Sequence, residues 1–83
     1  MKKEFISLAA FILLIACSEK KISASEVPSS VTAAFNTKYP NASDVEWEQE
    51  TKKDKLIYEA EFKFNGKNIE AEFDSSGNFI EEE

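Results

Sequence analysis

Eighty-three residues carrying 16 acidic and 10 basic side chains, every base a lysine, have a formal charge of −6 and room for one small domain. That balance excludes nucleic acid as an expected partner, because neutralising a phosphate backbone needs a basic face. The lack of histidine and the single cysteine remove the commonest general base, an internal disulfide and a cysteine-rich zinc site, so no enzyme and no cofactor is expected.

Lys2 and Lys3 precede an apolar stretch from Phe5 to Ala16 that is interrupted only by Ser7, the layout of a secretory signal. It is shorter than the roughly 20 apolar residues of a membrane-spanning helix. The stretch ends Leu14-Ile15-Ala16-Cys17, which resembles the lipobox of bacterial lipoproteins, and the resemblance implies cleavage before Cys17 and lipidation of that residue. An ordinary signal peptide cut nearby, for instance after Ala24, is the alternative. The first reading makes 1–16 a lipoprotein-type signal peptide. The product is then exported to the periplasm or outer envelope and touches a membrane through its lipid anchor only. Losing Lys2, Lys3 and Glu4 makes it one charge more acidic. Ser18 to Glu26 is polar and without aromatics, so 17–26 reads as a flexible tether able to stretch roughly 30 Å.

The domain is expected over 27–83. Val27, Val31, Ala34 and Phe35 recur at helical spacing behind Pro28, and the helix should stop near Lys38 because Tyr39 precedes Pro40. From Val45 the period changes to two, with Val45 and Trp47 alternating with Glu46, Glu48 and Glu50. Tyr58, Ala60, Phe62 and Phe64 alternate with Glu59, Glu61 and Lys63, and Asn65-Gly66 then supplies a type I′ hairpin turn. That turn sets Phe64 opposite Lys67, Phe62 opposite Ile69, Ala60 opposite Ala71 and Tyr58 opposite Phe73, with Glu61 against Glu70 and Glu59 against Glu72 on the other face. Ser75-Ser76-Gly77 makes a further hairpin loop into an edge strand carrying Phe79 and Ile80. The expected fold is α+β, one N-terminal helix packed on a four-stranded antiparallel β-meander. Its expected core is Phe35, Trp47, Tyr58, Phe62, Ile69 and Phe73.

The strings Val27-Pro28, Phe35, Tyr39-Pro40, Trp47-Glu48, Tyr58-Glu59-Ala60-Glu61-Phe62, Asn65-Gly66, Ala71-Glu72-Phe73-Asp74 and Gly77 resemble the PepSY-like family of exported bacterial proteins, also described as β-lactamase-inhibitor-like. The resemblance covers Val27 to Glu83, as a single unit. It implies a helix-plus-sheet envelope module without established catalytic residues, and a role in binding or inhibiting other exported proteins.

The outer sheet face collects Glu46, Glu48, Glu50, Glu59, Glu61, Glu70, Glu72 and Asp74. Like charges placed directly opposite one another are destabilising, so the pattern points to a cationic partner: an envelope protein with a basic surface, or calcium held weakly by several carboxylate oxygens. A solvated face with screened repulsion explains the same pattern without a ligand. Exposed strand edges offer backbone pairing as a second docking mode. Glycoside hydrolysis by paired carboxylates is set aside, because it needs a concave site that separates their pKa values.

Overall fold

The computed structural model of the protein describes residues 17–83, and the signal-peptide reading of 1–16 lies outside them. Strand β1 (Cys17–Ile22) leads through a 3-10 turn (Ala24–Glu26) into helix α1 (Ser29–Lys38), and then follow β2 (Ser43–Lys52), β3 (Lys55–Phe64), β4 (Lys67–Asp74) and β5 (Phe79–Glu82). All pairings are antiparallel and the strands lie side by side in chain order, β1-β2-β3-β4-β5. The expected α+β fold is therefore corrected. The protein is mostly β, a five-stranded meander with one short helix, and that helix follows the first strand instead of opening the domain.

The missed strand is the segment read as a tether. Cys17 to Ile22 pairs residue by residue with Lys52 to Trp47 along the free edge of β2. Only Ile22 packs against the core, so apolar periodicity has nothing to register and backbone hydrogen bonds carry the pairing. The helix starts two residues later than Val27 and ends as expected, the N–H of Tyr39 donating to the carbonyl of Phe35 at 2.8 Å ahead of Pro40.

The β3–β4 hairpin has the register that the Asn65-Gly66 turn dictates, from Phe64 opposite Lys67 to Tyr58 opposite Phe73, with φ of 53° and 80° at the two turn residues. The helix lies on the face carrying Trp47, Tyr58, Ala60, Phe62, Ala71 and Phe73. Phe35 is the hub, its ring centroid 5.2 Å from Trp47, 4.9 Å from Phe62 and 6.4 Å from Phe73, each in an edge-on arrangement. Ile69, expected in the core, is only partly buried, whereas Tyr39 is 4% exposed and its hydroxyl donates to the Glu82 carboxylate. Phe79 turns toward Phe73, 5.8 Å away, yet it and Ile80 remain exposed.

Gly77 joins the β4–β5 turn to the helix. Its φ is 92°, and a Cβ there would stand 2.5 Å from the Ser30 carbonyl oxygen, beside the hydrogen bond from Ser30 Oγ to the Ser75 carbonyl at 3.1 Å. Gly77→Ala is expected to destabilise by about 2 kcal/mol, through backbone strain plus this overlap. Gly66→Ala meets nothing within 4 Å and should cost about 1 kcal/mol from φ alone. Urea melts of the two variants check the order.

Candidate functional site: the acidic outer sheet face

The helix covers one side of the sheet and leaves the other open. On that open side direct cross-strand partners share a face, so the register brings carboxylates together: Glu46 with Glu61, Glu48 with Glu59, Glu61 with Glu70, and Glu59 with Glu72. Glu50 and Asp74 flank Ile57 from the two sides. All eight acids expected on this face lie on it by register. Two more were missed, Glu19 opposite Glu50 and Glu81 opposite Glu72, because β1 was read as a tether and the bulge at Ile80 within β5 hides that strand's register.

Asp74 stands apart from the other seven. Its Oδ1 accepts from the backbone N–H of Ser76 and of Asn78, both at 2.9 Å, and its Oδ2 accepts from the Asn78 side-chain amide at 3.0 Å. These hydrogen bonds from Asn78 and Ser76 hold its carboxyl below the ordinary aspartate range and commit it to the turn.

The centre of the face is desolvated. Glu50 is 4% exposed, Glu59 7% and the intervening Ile57 6%. Lys52 reaches across β3 from β2, its Nζ 3.2 Å from Glu72 Oε2 and 3.4 Å from Glu50 Oε1. The hydrogen bond goes to Glu72, and Glu50 Oε1 is left without a hydrogen-bond partner. Burial lowers the Lys52 pKa, but the bond to Glu72 and the charges of Glu50 and Glu72 outweigh it and the net shift is upward. Lys21 makes a more exposed pair with Glu46 at 3.5 Å.

Burial pushes the Glu59 carboxyl up to about 9, helped by hydrogen bonding with Glu50 and Glu70 and by their charges. Glu19 is raised as well, by its hydrogen bond with Glu50 and the charge of that residue, while Glu61 and Glu72 are raised chiefly by burial. Two groups of carboxylates can each bring one oxygen per residue within 4.8 Å of the others: Glu19, Glu48, Glu50 and Glu59, and then Glu59, Glu61 and Glu70. Glu59 belongs to both. Pushed up to about 9, its carboxyl favours the protonated form at neutral pH, and a cation bound at either group would have to displace that proton. At the end of the sheet away from the β2–β3 turn, Asp44, Glu46, Glu61, Glu70 and Glu83 line a shallow acidic groove.

Trp47 and Tyr58 are each 6% exposed and belong to the core on the opposite side of the sheet. No helix of the described residues is long and apolar enough to cross a membrane. The chain matches no protein family, no curated protein and no solved structure.

Proposed function

We propose that the protein is a non-catalytic, lipid-anchored envelope module of PepSY-like type that binds, and thereby regulates, an exported protein with a basic surface. Cys17 carries the lipid, and the acidic sheet face receives the partner. The observation that carries this reading is the destabilised but uncovered centre of the face, where Glu50 and Glu59 lie buried among carboxylates on the side that the helix leaves open. Solubility alone is served by interleaved lysines, whereas a cationic partner relieves a repulsion already built into the fold.

The test is capture from envelope extract on the full protein. Reversal at Glu59 would bury a lysine, so the control variant is Glu46→Lys/Glu61→Lys, at one exposed and one half-buried position. Expected is a specific basic protein retained at low salt and lost both at high salt and with the variant. Retention that ignores salt and variant would transfer the binding role to the β1 or β5 edge.

A second reading, calcium on the same face, is favoured by one feature, the buried Glu50 Oε1, which accepts no hydrogen bond and has the Lys52 ammonium 3.4 Å away as an ion-pair partner. It predicts that calcium at 100 times its Kd stabilises the fold by about 2.7 kcal/mol beyond an ionic-strength control, and that binding tightens as pH rises because Glu59 must release its proton. Equal melting temperatures in calcium and in the salt control would remove it.

A further inference from the structure

The two ends of the sheet differ, and the difference bears on how the domain stands at a membrane. Cys17 is the register partner of Lys52, and Ser18 that of Thr51, so the chain enters the domain beside the β2–β3 turn. That turn is Lys53-Asp54, closed by the pair Lys52 and Lys55, with φ of 50° and 66° at its two residues. Three of the protein's 10 lysines thus fall within four positions. Lys52 is engaged with Glu50 and Glu72, whereas Lys53 and Lys55 are exposed and make no ion pair among the described residues. Beside them Leu56 is 37% exposed and Ile80 44%, and Lys53, Lys55, Leu56 and Ile80 border one open groove, which Asp74 also lines with its carboxylate oxygens tied into the β4–β5 turn. Basic and apolar groups in one patch match a lipid headgroup layer, where lysine tips meet phosphate and short apolar side chains sink beneath it.

The chain outside the described residues reinforces the match. The apolar stretch Phe5 to Ala16 leads directly into residue 17, so whichever hydrophobic group holds the protein, a lipid on Cys17 or that stretch itself, joins the chain at the lysine end with no spacer. The opposite end holds the Asn65-Gly66 turn and the acidic groove of Asp44, Glu46, Glu61, Glu70 and Glu83. Ten residues of β3 separate the ends by roughly 30 Å, several Debye lengths.

We propose that the β2–β3 turn, through Lys53, Lys55, Leu56 and Ile80, is a second membrane contact that docks on anionic phospholipid headgroups and holds the sheet upright beside the anchor. The inference rests on the anchoring reading above. Lys63 and Lys67 flank the Asn65-Gly66 turn as well, but there the carboxylates of Asp44, Glu46, Glu61, Glu70 and Glu83 outnumber them, whereas at the β2–β3 turn three lysines stand against Asp54 and Asp74, so the charge layout favours this end toward an anionic surface. The acidic groove then points away from the bilayer, toward a partner in the aqueous phase.

The test uses the full protein extracted from bacterial membranes and reconstituted into vesicles of phosphatidylglycerol and phosphatidylethanolamine, or of phosphatidylcholine alone. A fluorophore on Asp54→Cys or on Asn65→Cys reports proximity to a headgroup-borne quencher, and intact mass reports lipid on Cys17. On anionic vesicles the position-54 label is expected to be quenched at least threefold more than the position-65 label. The difference should disappear with Lys53→Glu/Lys55→Glu, at 0.5 M salt, or on phosphatidylcholine. Equal quenching at both positions in a vesicle-bound protein overturns the proposal and leaves the anchor standing. Preferential quenching at position 54 that ignores charge reversal, salt and lipid also overturns it, since the short connection to the anchor then explains the position. A protein that stays off vesicles and carries no lipid mass on Cys17 overturns the anchoring reading and the docking together.

Discussion

Replacing Glu59 with glutamine is expected to stabilise the protein at pH 7 by on the order of 1–2 kcal/mol, although it removes an acidic group from the side of the sheet that the helix leaves open. The reason is linkage. Burial and the neighbouring Glu50 and Glu70 carboxyls raise Glu59 from 4.5 to about 9 in the folded protein. The native state therefore keeps this proton to higher pH than the unfolded chain does, and unfolding releases it. A raised carboxyl contributes its full stability below pH 4.5 and loses it progressively as pH climbs toward 9. Glutamine presents the same donor without titrating, so variant and natural protein should melt alike near pH 4, separate through neutrality and reach a constant gap above pH 9. Glu61 and Glu72, also raised, bend both curves the same way and leave the difference to position 59. Denaturant melts at pH 4, 7 and 9 measure it. A gap independent of pH would mean that Glu59 is ionised and that the centre of the face is wetter than its 7% exposure implies.

Under the binding role proposed above, an acid retained where an amide is expected to be more stable trades stability for binding. The trade also sets an order of events on the face. A cation arriving there displaces the Glu59 proton, so binding by the natural protein should tighten with pH, and in the Glu59→Gln variant it should weaken and lose that dependence.

The β3–β4 hairpin was legible because three signals agree: strict alternation from Tyr58 to Phe64, the Asn65-Gly66 turn, and alternation again through Phe73. Neither side of β1 from Ser18 to Lys21 is apolar, and what holds it is the unsatisfied edge of β2, a property of the folded sheet and not of the segment. That omission carried into the site. Period-two spacing placed Glu46 to Glu72 on one face, but Glu19 enters only with β1, and neither the burial of Glu50 and Glu59 nor the reach of Lys52 to Glu72 two strands away is a property of that spacing. Asp74 was assigned to the face by the same spacing, whereas its oxygens serve the turn that follows, a competition local to the Asp74-Ser75-Ser76-Gly77-Asn78 run. Tyr39 was read only as a helix stop before proline. Its burial follows from where the helix lands on Phe62 and Phe64, at 4.6 and 5.4 Å between ring centroids.

Phe35→Ala should have the largest effect of any single substitution, a loss of about 3–5 kcal/mol. In a domain this small that is comparable with the whole stability, so the variant is expected to be largely unfolded at 37 °C. The argument is one of connectivity. Phe35 is 4% exposed and its ring meets Trp47 on β2, Phe62 on β3 and Phe73 on β4, so the same side chain docks the helix on three strands at once. Val31, also fully buried, is smaller and makes none of these aromatic contacts, and Val31→Ala should cost about 2 kcal/mol or less. Trp47 is the only tryptophan, which makes its fluorescence a direct reporter of the void left beside it. Emission should shift to the red in Phe35→Ala, while Phe35→Leu recovers most of the volume and part of the stability. The outer face supplies the decisive contrast. Its carboxylates are positioned by strand pairing but kept in register by the aromatic side, so a Phe35→Ala protein that still shows the raised Glu59 titration would locate the fold's stability in the sheet alone. Loss of that titration together with the Trp47 shift would show that the buried acids and the aromatic core fold as one cooperative unit.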